Sequence, residues 1–288
     1  MKHIVVMPNG HKDPGYVYSR RILHRLIQLG ASPYLPAALK SMIRVRGIQY
    51  YDGELPEDAE MILVIGGDGS VLDAAVYAIG ADIPMLGINL GRLGYLAELE
   101  AEEAGELERL FNGDFTVREH MTFEVSLIRA GEEMHLVRCA VNDVVLSQGE
   151  GEGLSEIRLE DGVGNHLTYV ADGMIVATPL GSTAYSLAAG GPVIDASLAA
   201  FCVTPICAHS LFSRSVLFPP EYTVTLRNNS RREGLMRVTV DGGEGYTLAP
   251  GDCVRISRST KVLRMITLKN RSALGVLCRK MQLLNPKL

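Results

Sequence analysis

The stretch MILVIGGDGS, residues 61–70, decides how this chain is read. An apolar run ends in two glycines, an aspartate, a third glycine and a serine. The run is short and continuous, as in a strand covered on both faces of a parallel sheet. The next residues, SVLDAAVYAIG (70–80), are spaced for a helix that ends at Gly80. Strand, turn and helix form half of a βαβ unit. Glycines accept positive φ and let a backbone approach a ligand closely. A helix N-terminus directs unpaired N–H groups and a favourable dipole at an anion, so phosphate is the natural occupant of such a turn. The turn is neither a P-loop, since no Gly-Lys-Ser/Thr follows, nor G-x-G-x-x-G. An ordinary tight turn would account for the glycines alone. Asp68 changes the balance. A carboxylate is a poor neighbour for phosphate unless it holds Mg²⁺ or takes a proton from an attacking hydroxyl, and both tasks belong to phosphoryl transfer.

The same alternation extends outward. HIVVM (3–7) and IPMLGIN (83–89) are short buried strands. YVYSRRILHRLIQLG (16–30) carries Val17, Ile22, Leu23, Leu26, Ile27 and Leu29 at helical spacing, with Gly30 as the stop. EEAGELERLFNG (102–113) reads as an amphipathic helix stopping at Asn112-Gly113. Residues 1–115 are therefore expected to form an α/β domain with a mostly parallel, Rossmann-like sheet. From about residue 116 a period of two takes over, in TFEVSLI, VNDVVLS, HLTYVADGMIVAT, YTVTLRN, MRVTVDGG and DCVRISRS. Residues 116–270 are expected to be an all-β, sandwich-like domain with one helix inside it, at STAYSLAAGG (182–191). The tail, 271–288, is expected to form a helix that returns to the first domain.

Composition bounds the function. The 288 residues are 47% hydrophobic and 21% charged, with a net charge of −5, which argues against a general nucleic-acid or membrane surface. No apolar run is long enough to cross a bilayer. The N-terminus, MKHIVVMPNGHKD, reads as a first strand and not as a signal peptide. The five cysteines include no C-x-x-C pair and read as thiols in a reducing compartment. Cys207 and His209 lack further ligands at metal spacing. A cytoplasmic protein is expected.

Three more motifs carry chemistry. GINLGRLGYL (87–96) follows another buried strand, so its loop should face the GGDG loop at the carboxyl edge of the sheet. In it Tyr95 offers a stacking face, while Asn89 and Arg92 suit turn chemistry and solvent as well as a ligand. In VNDVVLS (141–147), Asn142 beside Asp143 suits vicinal hydroxyls, although both residues also start strands. ADGMIVATPLGSTAYSLAAGGPVID (171–195) runs from Asp172-Gly173 through a strand into Gly181-Ser182-Thr183, where Ser182 or Thr183 would cap a helix and Tyr185 could stack on a ligand.

Taken in order and spacing, GGDGS, GINLGRLGYL, VNDVVLS, ADGMIVATPLGSTAYSLAAGGPVI, TPICAHSL and VTVDGG resemble NAD kinases, which phosphorylate NAD to NADP with ATP. The resemblance is strong from about residue 60 to 245. GGDG is shared with lipid kinases and phosphofructokinase, whereas the Gly-Ser-Thr-Ala-Tyr-Ser-Leu stretch is more specific. The resemblance implies Asp68 as general base toward the ribose 2′-hydroxyl, with Gly66, Gly67 and Gly69 making room for phosphate. It implies Tyr95 beside adenine, and Asn142, Asp143, Thr183, Ala184, Tyr185 and Ser186 around the dinucleotide. Asp172 would contact the nicotinamide side, in many relatives across a subunit interface. Also implied are NAD and ATP (or polyphosphate) as substrates, Mg²⁺ or another divalent cation with the ATP, and a homodimer or homotetramer. Val170, Asp195 and Gly243 depart from residues common in relatives. A non-catalytic NAD(P) sensor and a GGDG lipid kinase are the alternatives. An intact Asp68 argues against the first, and the Thr183–Ser186 segment and the lack of a membrane-binding stretch against the second.

Overall fold

The computed structural model describes residues 2–91, 94–136, 138–149, 155–209, 213–230 and 234–269, with Gly275 and Cys278. The expected tail helix and Arg92 fall largely or wholly outside these residues. The chain divides into two units, residues 1–119 with the chain from Leu263 onward, and His120–Val262. The second boundary corrects the reading of 263–270 as part of the β domain. Met265 pairs in parallel with Met85, so this stretch extends the first unit's sheet.

The first unit is built from β1 (His3–Pro8), α1 (Val17–Gln28), β2 (Ser32–Pro36), β3 (Gln49–Tyr51), β4 (Met61–Gly66), α2 (Asp68–Ala81), β5 (Met85–Asn89), β6 (Leu99–Glu100) and α3 (Glu108–Asn112). Its strands run parallel in the order β3-β2-β1-β4-β5. β4 is buried at every position, as its unbroken apolar sequence requires. Helix α1 buries Ile22, Leu23 and Leu26, while Val17, expected on that face, is exposed. α2 packs Val71, Ala74, Ala75 and Ala78 inward. The stretch expected as one helix over 102–113 begins instead as a 3₁₀ helix, Ala101–Leu107, and becomes α-helical only at Glu108.

β1 lies beside β4, and the connection after β1 runs to β2 on one side while that after β4 runs to β5 on the other. This is a topological switch point. The loops after β1 and β4 diverge there and open a crevice at the carboxyl ends of the strands.

The second unit holds β7 (Thr116–Arg129, from His120 on), β8 (Glu132–His135), β9 (Asp143–Gln148), β10 (Ser155–Glu160), β11 (His166–Ala171), β12 (Gly173–Ala177), α4 (Tyr185–Ala188), β13 (Phe201–Ile206), β14 (Val216–Phe218), β15 (Val224–Asn228), β16 (Met236–Val240), β17 (Tyr246–Leu248) and β18 (Cys253–Thr267, up to Val262). One antiparallel sheet runs β11-β10-β15-β18 with β7 and β8 beyond, and the other runs β14-β13-β12-β9-β16-β17. Their facing positions, every second residue, interdigitate in one core, as in a sandwich. Phe123 lies edge-on to Phe201, with centroids 5.4 Å apart, and Phe201 stacks on Phe218. On the outer face of the second sheet, Val145, Ile175, Ala177 and Cys202 are covered by Ile194.

Phe123 is fully buried at the centre of that core. Phe123→Ala is expected to destabilise the second unit by about 3–5 kcal/mol, the cost of lost burial plus a cavity. Calorimetric or urea unfolding of the two chains measures it.

Candidate active site

In the first unit the GGDG turn closes directly into a helix. α2 begins at Asp68 and not near Ser70, with Gly67 as its N-cap in an extended conformation. None of Gly66, Gly67 and Gly69 has a positive φ, so the expected backbone strain is not why glycine stands there. Space is the reason. A Cβ on Gly66 would collide with the Ser70 hydroxyl, whereas at Gly67 and Gly69 it would stand in open space, where a ligand can reach the backbone. The carboxylate of Asp68 is held by the following loop: Oδ2 accepts the Tyr95 N–H at 2.8 Å and Oδ1 the Leu96 N–H at 3.0 Å. Gly94 lies so close to Oδ1 that it has no room for a side chain. The two loops therefore meet, as their places at the sheet edge predicted.

Each oxygen of Asp68 keeps acceptor capacity after taking one amide. Burial and the nearby Asp68 charge push the Tyr95 phenol up, so it stays neutral. Asn89 is occupied with its own turn: Nδ2 donates to Glu100 and Oδ1 accepts the Gly91 N–H. A cavity of about 590 Å³ opens over this turn, lined by Gly67, Asp68, Gly69, Ser70, Asp73 and Asn89. It is also lined by two residues that sequence reasoning missed, Asn9 and Lys12 from the loop after β1. Their signal was present in PNGHK, which directly follows a buried strand. That signal means little until β1 is known to lie beside β4.

In the second unit Asn142 and Asp143 stand where β9 begins, both buried. The 178–182 segment packs on their backbone. Thr178 donates its N–H to the Asn142 carbonyl and its hydroxyl to the Val141 carbonyl, and Gly181 approaches Asn142 so closely that no Cβ fits. Ser182 caps no helix. It is fully buried, donates to the Pro179 carbonyl and accepts the Ile194 N–H at 3.0 Å, which ties the segment down. The expected helix is a 3₁₀ turn, Gly181–Thr183, followed by a single turn, α4. Thr183 and Ala184 are half-buried and Tyr185 is exposed, so these three present a surface. Ser186 does not: its hydroxyl is buried against Thr204, 3.1 Å away, and Cys202. It supports the segment from beneath. Asp172 is exposed at the other end of β12, roughly 20 Å from Thr178 at the usual rise of a strand. The chain does not bring it to Asn142.

Sequence reasoning also missed the role of Asp241, which it met only as part of the VTVDGG motif. In a left-handed turn after β16, its carboxylate accepts the N–H groups of Val141, Asn142 and Asp143 at 2.7–3.1 Å, with Arg138 at 3.8 Å. Burial pushes its pKa up, against the lowering effect of those amides and of Arg138. Burial, and then the charge of Asp241, push Asp143 up to about 7. Of the departures, Val170 gives its carbonyl to the His209 N–H, Asp195 accepts from Ser197, and Gly243 closes the Asp241 turn. Among the described residues, no group of three or more His, Cys, Asp and Glu has metal-site geometry.

The family models match in chain order: the ATP-NAD kinase N-terminal domain over residues 31–115 and the ATP-NAD kinase C-terminal domain over residues 141–268. The chain is 36% identical to the NAD kinase of Natranaerobius thermophilus over all of this chain and 98% of that one. The chain belongs to the ATP-NAD kinase family. A second family member, the NAD kinase of Heliobacterium modesticaldum, is 41% identical over 77% of this chain and 78% of that one. The fold is shared with yeast NADH kinase complexed with NADH (TM-score 0.84, 20% identity, 100% of this chain and 88% of that one). It is shared too with the Archaeoglobus fulgidus NAD kinase in complex with ATP (TM-score 0.70, 22% identity, 98% and 99%). For an ATP-NAD kinase family member, the GGDG cavity and the 142–185 surface are the two places where the family motifs meet the fold.

The raised pKa of Asp143 has a sign. Unfolded, the carboxyl loses its proton near pH 4, whereas folded it keeps it to about 7. Between these values the native state binds the extra proton, so stability falls as pH rises. Asp143→Asn is expected to reduce that decline, by up to about 1.4 kcal/mol per pH unit across the window. Urea titrations at pH 5 and pH 8 compare the two chains.

Proposed function

We propose that this chain transfers the γ-phosphate of ATP to the 2′-hydroxyl of the adenosine ribose of NAD, giving NADP. The observation that carries the reading is Asp68: an oriented carboxylate at the first residue of a helix, in a cavity that two phosphate-permitting glycines leave open. In the step, Asp68 accepts the proton of the 2′-hydroxyl. The 2′-oxygen forms a bond to the γ-phosphorus as the bond from that phosphorus to the β–γ bridging oxygen breaks, and ADP leaves with the electron pair. A loose phosphoryl-transfer transition state asks mainly for orientation and charge neutralisation, so it does not call for a strong base.

The carboxylates of Asp68 and Asp73 line the cavity as hard oxygen donors, the type that Mg²⁺ takes. Brought in on ATP, the ion would neutralise charge on the phosphates. Asn142 and Asp143 suit ribose or amide hydrogen bonds, and Thr183, Ala184 and Tyr185 a flat ring or a phosphate edge. Asp172, far from these along β12, fits a role toward the NAD of a partner subunit in a homodimer or homotetramer. That assembly and a cytoplasmic setting complete the reading. Among the described residues, no helix is long and apolar enough to cross a membrane.

Asp68→Asn should lower kcat for NADP formation by about 10²–10⁴-fold, the usual worth of a positioned base. The Kd for NAD, from calorimetry, should move little. Undiminished turnover would remove Asp68 from the base role. Sedimentation velocity on the purified chain tests the assembly, and a monomer at micromolar concentration would leave Asp172 without the proposed task.

A further inference from the structure

The charges around the GGDG cavity do not match its proposed occupant. Two carboxylates, Asp68 and Asp73, line it. A triphosphate entering such a space meets repulsion that a helix dipole, equivalent to about half a charge, only partly offsets. Among the described lining residues, one full positive charge faces this field: Lys12. It is exposed, and no carboxylate is paired with it among the described residues.

The loop that carries Lys12 is fastened on both sides of it. Asn9 lies one residue past β1 and donates its N–H to the Ile65 carbonyl of β4. Its Oδ1 accepts the N–H groups of His11 and Lys12, at 3.0 and 3.2 Å. Its Nδ2 donates to Ser70 Oγ, in the first turn of α2, at 2.7 Å. On the other side, the buried Asp13 accepts the N–H groups of Tyr18 and Ser19 and the Ser19 hydroxyl. Gly66 leaves the room that the Ser70–Asn9 bond occupies. Lys12 is thus a free ammonium on a loop anchored to the GGDG helix itself. It stands at the switch point, where the loops after β1 and β4 part.

We propose that Lys12 binds the phosphate chain of the donor over the GGDG turn, and that Asn9 is a positioning residue that holds it there. The proposal rests on the kinase reading given above. A lysine acts on phosphate as a mobile point charge that needs no fixed fork geometry. It can therefore stay on the phosphates as charge moves from the γ-phosphorus toward the leaving β-phosphate.

Steady-state kinetics of NADP formation test this, together with calorimetric Kd values for Mg-ATP and for NAD. The expected result for Lys12→Gln, which keeps most of the stem, is an increase of about 10- to 100-fold in KM and Kd for ATP, the worth of one charge-assisted hydrogen bond. The Kd for NAD should stay within about twofold, and Lys12→Arg should recover most of the loss. Asn9→Ala should raise the KM for ATP more than it lowers kcat, and should leave the Kd for NAD in place. Circular dichroism checks that each variant is folded, and Lys12→Met stands in if Lys12→Gln is not. Unchanged ATP affinity in a folded Lys12 variant overturns the proposal, and so does an equal loss of ATP and NAD affinity. Wild-type protein that binds ATP but makes no NADP defeats the kinase reading instead, while the Lys12 effect on the Kd for ATP still decides this proposal.

Discussion

A backbone N–H taken out of water must find an acceptor, and the loops of the candidate site find theirs on aspartates. Asp68 takes two amides from the 94–96 turn, and Asp241 takes three from residues 141–143. Asp13 takes two more at the start of α1. Each bond fixes a loop and, in the same act, orients a carboxylate. The chemistry proposed for Asp68 depends on that orientation, since a side chain that could rotate freely would spend little time facing a hydroxyl.

The two anchors differ in electrostatic consequence. Asp68 sits at the N-terminus of a fourteen-residue helix and opens onto a cavity, where its charge is welcome. The Asp241 side chain is buried, and beside it Asp143 is driven toward neutrality. One unit thus presents an oriented carboxylate to an open cavity. The other holds a carboxyl whose charge is sensitive to pH near neutrality. A ligand that hydrogen-bonds to the ionised form of Asp143 must also offset this burial.

Much of the fold was legible because its signals are local. The unbroken apolar strands at 3–7, 61–65 and 85–89 announced a parallel sheet, and the period of two beyond residue 116 announced the sandwich. Errors came where a side chain had a distant partner. Ser182 looked like a helix cap and instead ties down Ile194, twelve residues away. The stretch 263–270 has the alternation of its neighbours, yet Met265 pairs with β5. Periodicity reports which residues face a core, not which sheet supplies that core.

By itself, the sequence determined the classes of the two units, the place of the GGDG turn and the presence of a lone carboxylate in it. Each follows from residues within one turn or strand of each other. Only the tertiary structure decided that β1 lies beside β4, which brings Asn9 and Lys12 to that turn. Only it decided that Asp241 holds residues about a hundred positions earlier in the chain. Strand order and long-range hydrogen bonds are chosen by how whole elements bury their faces and satisfy their amides together, a condition that no single window of sequence contains.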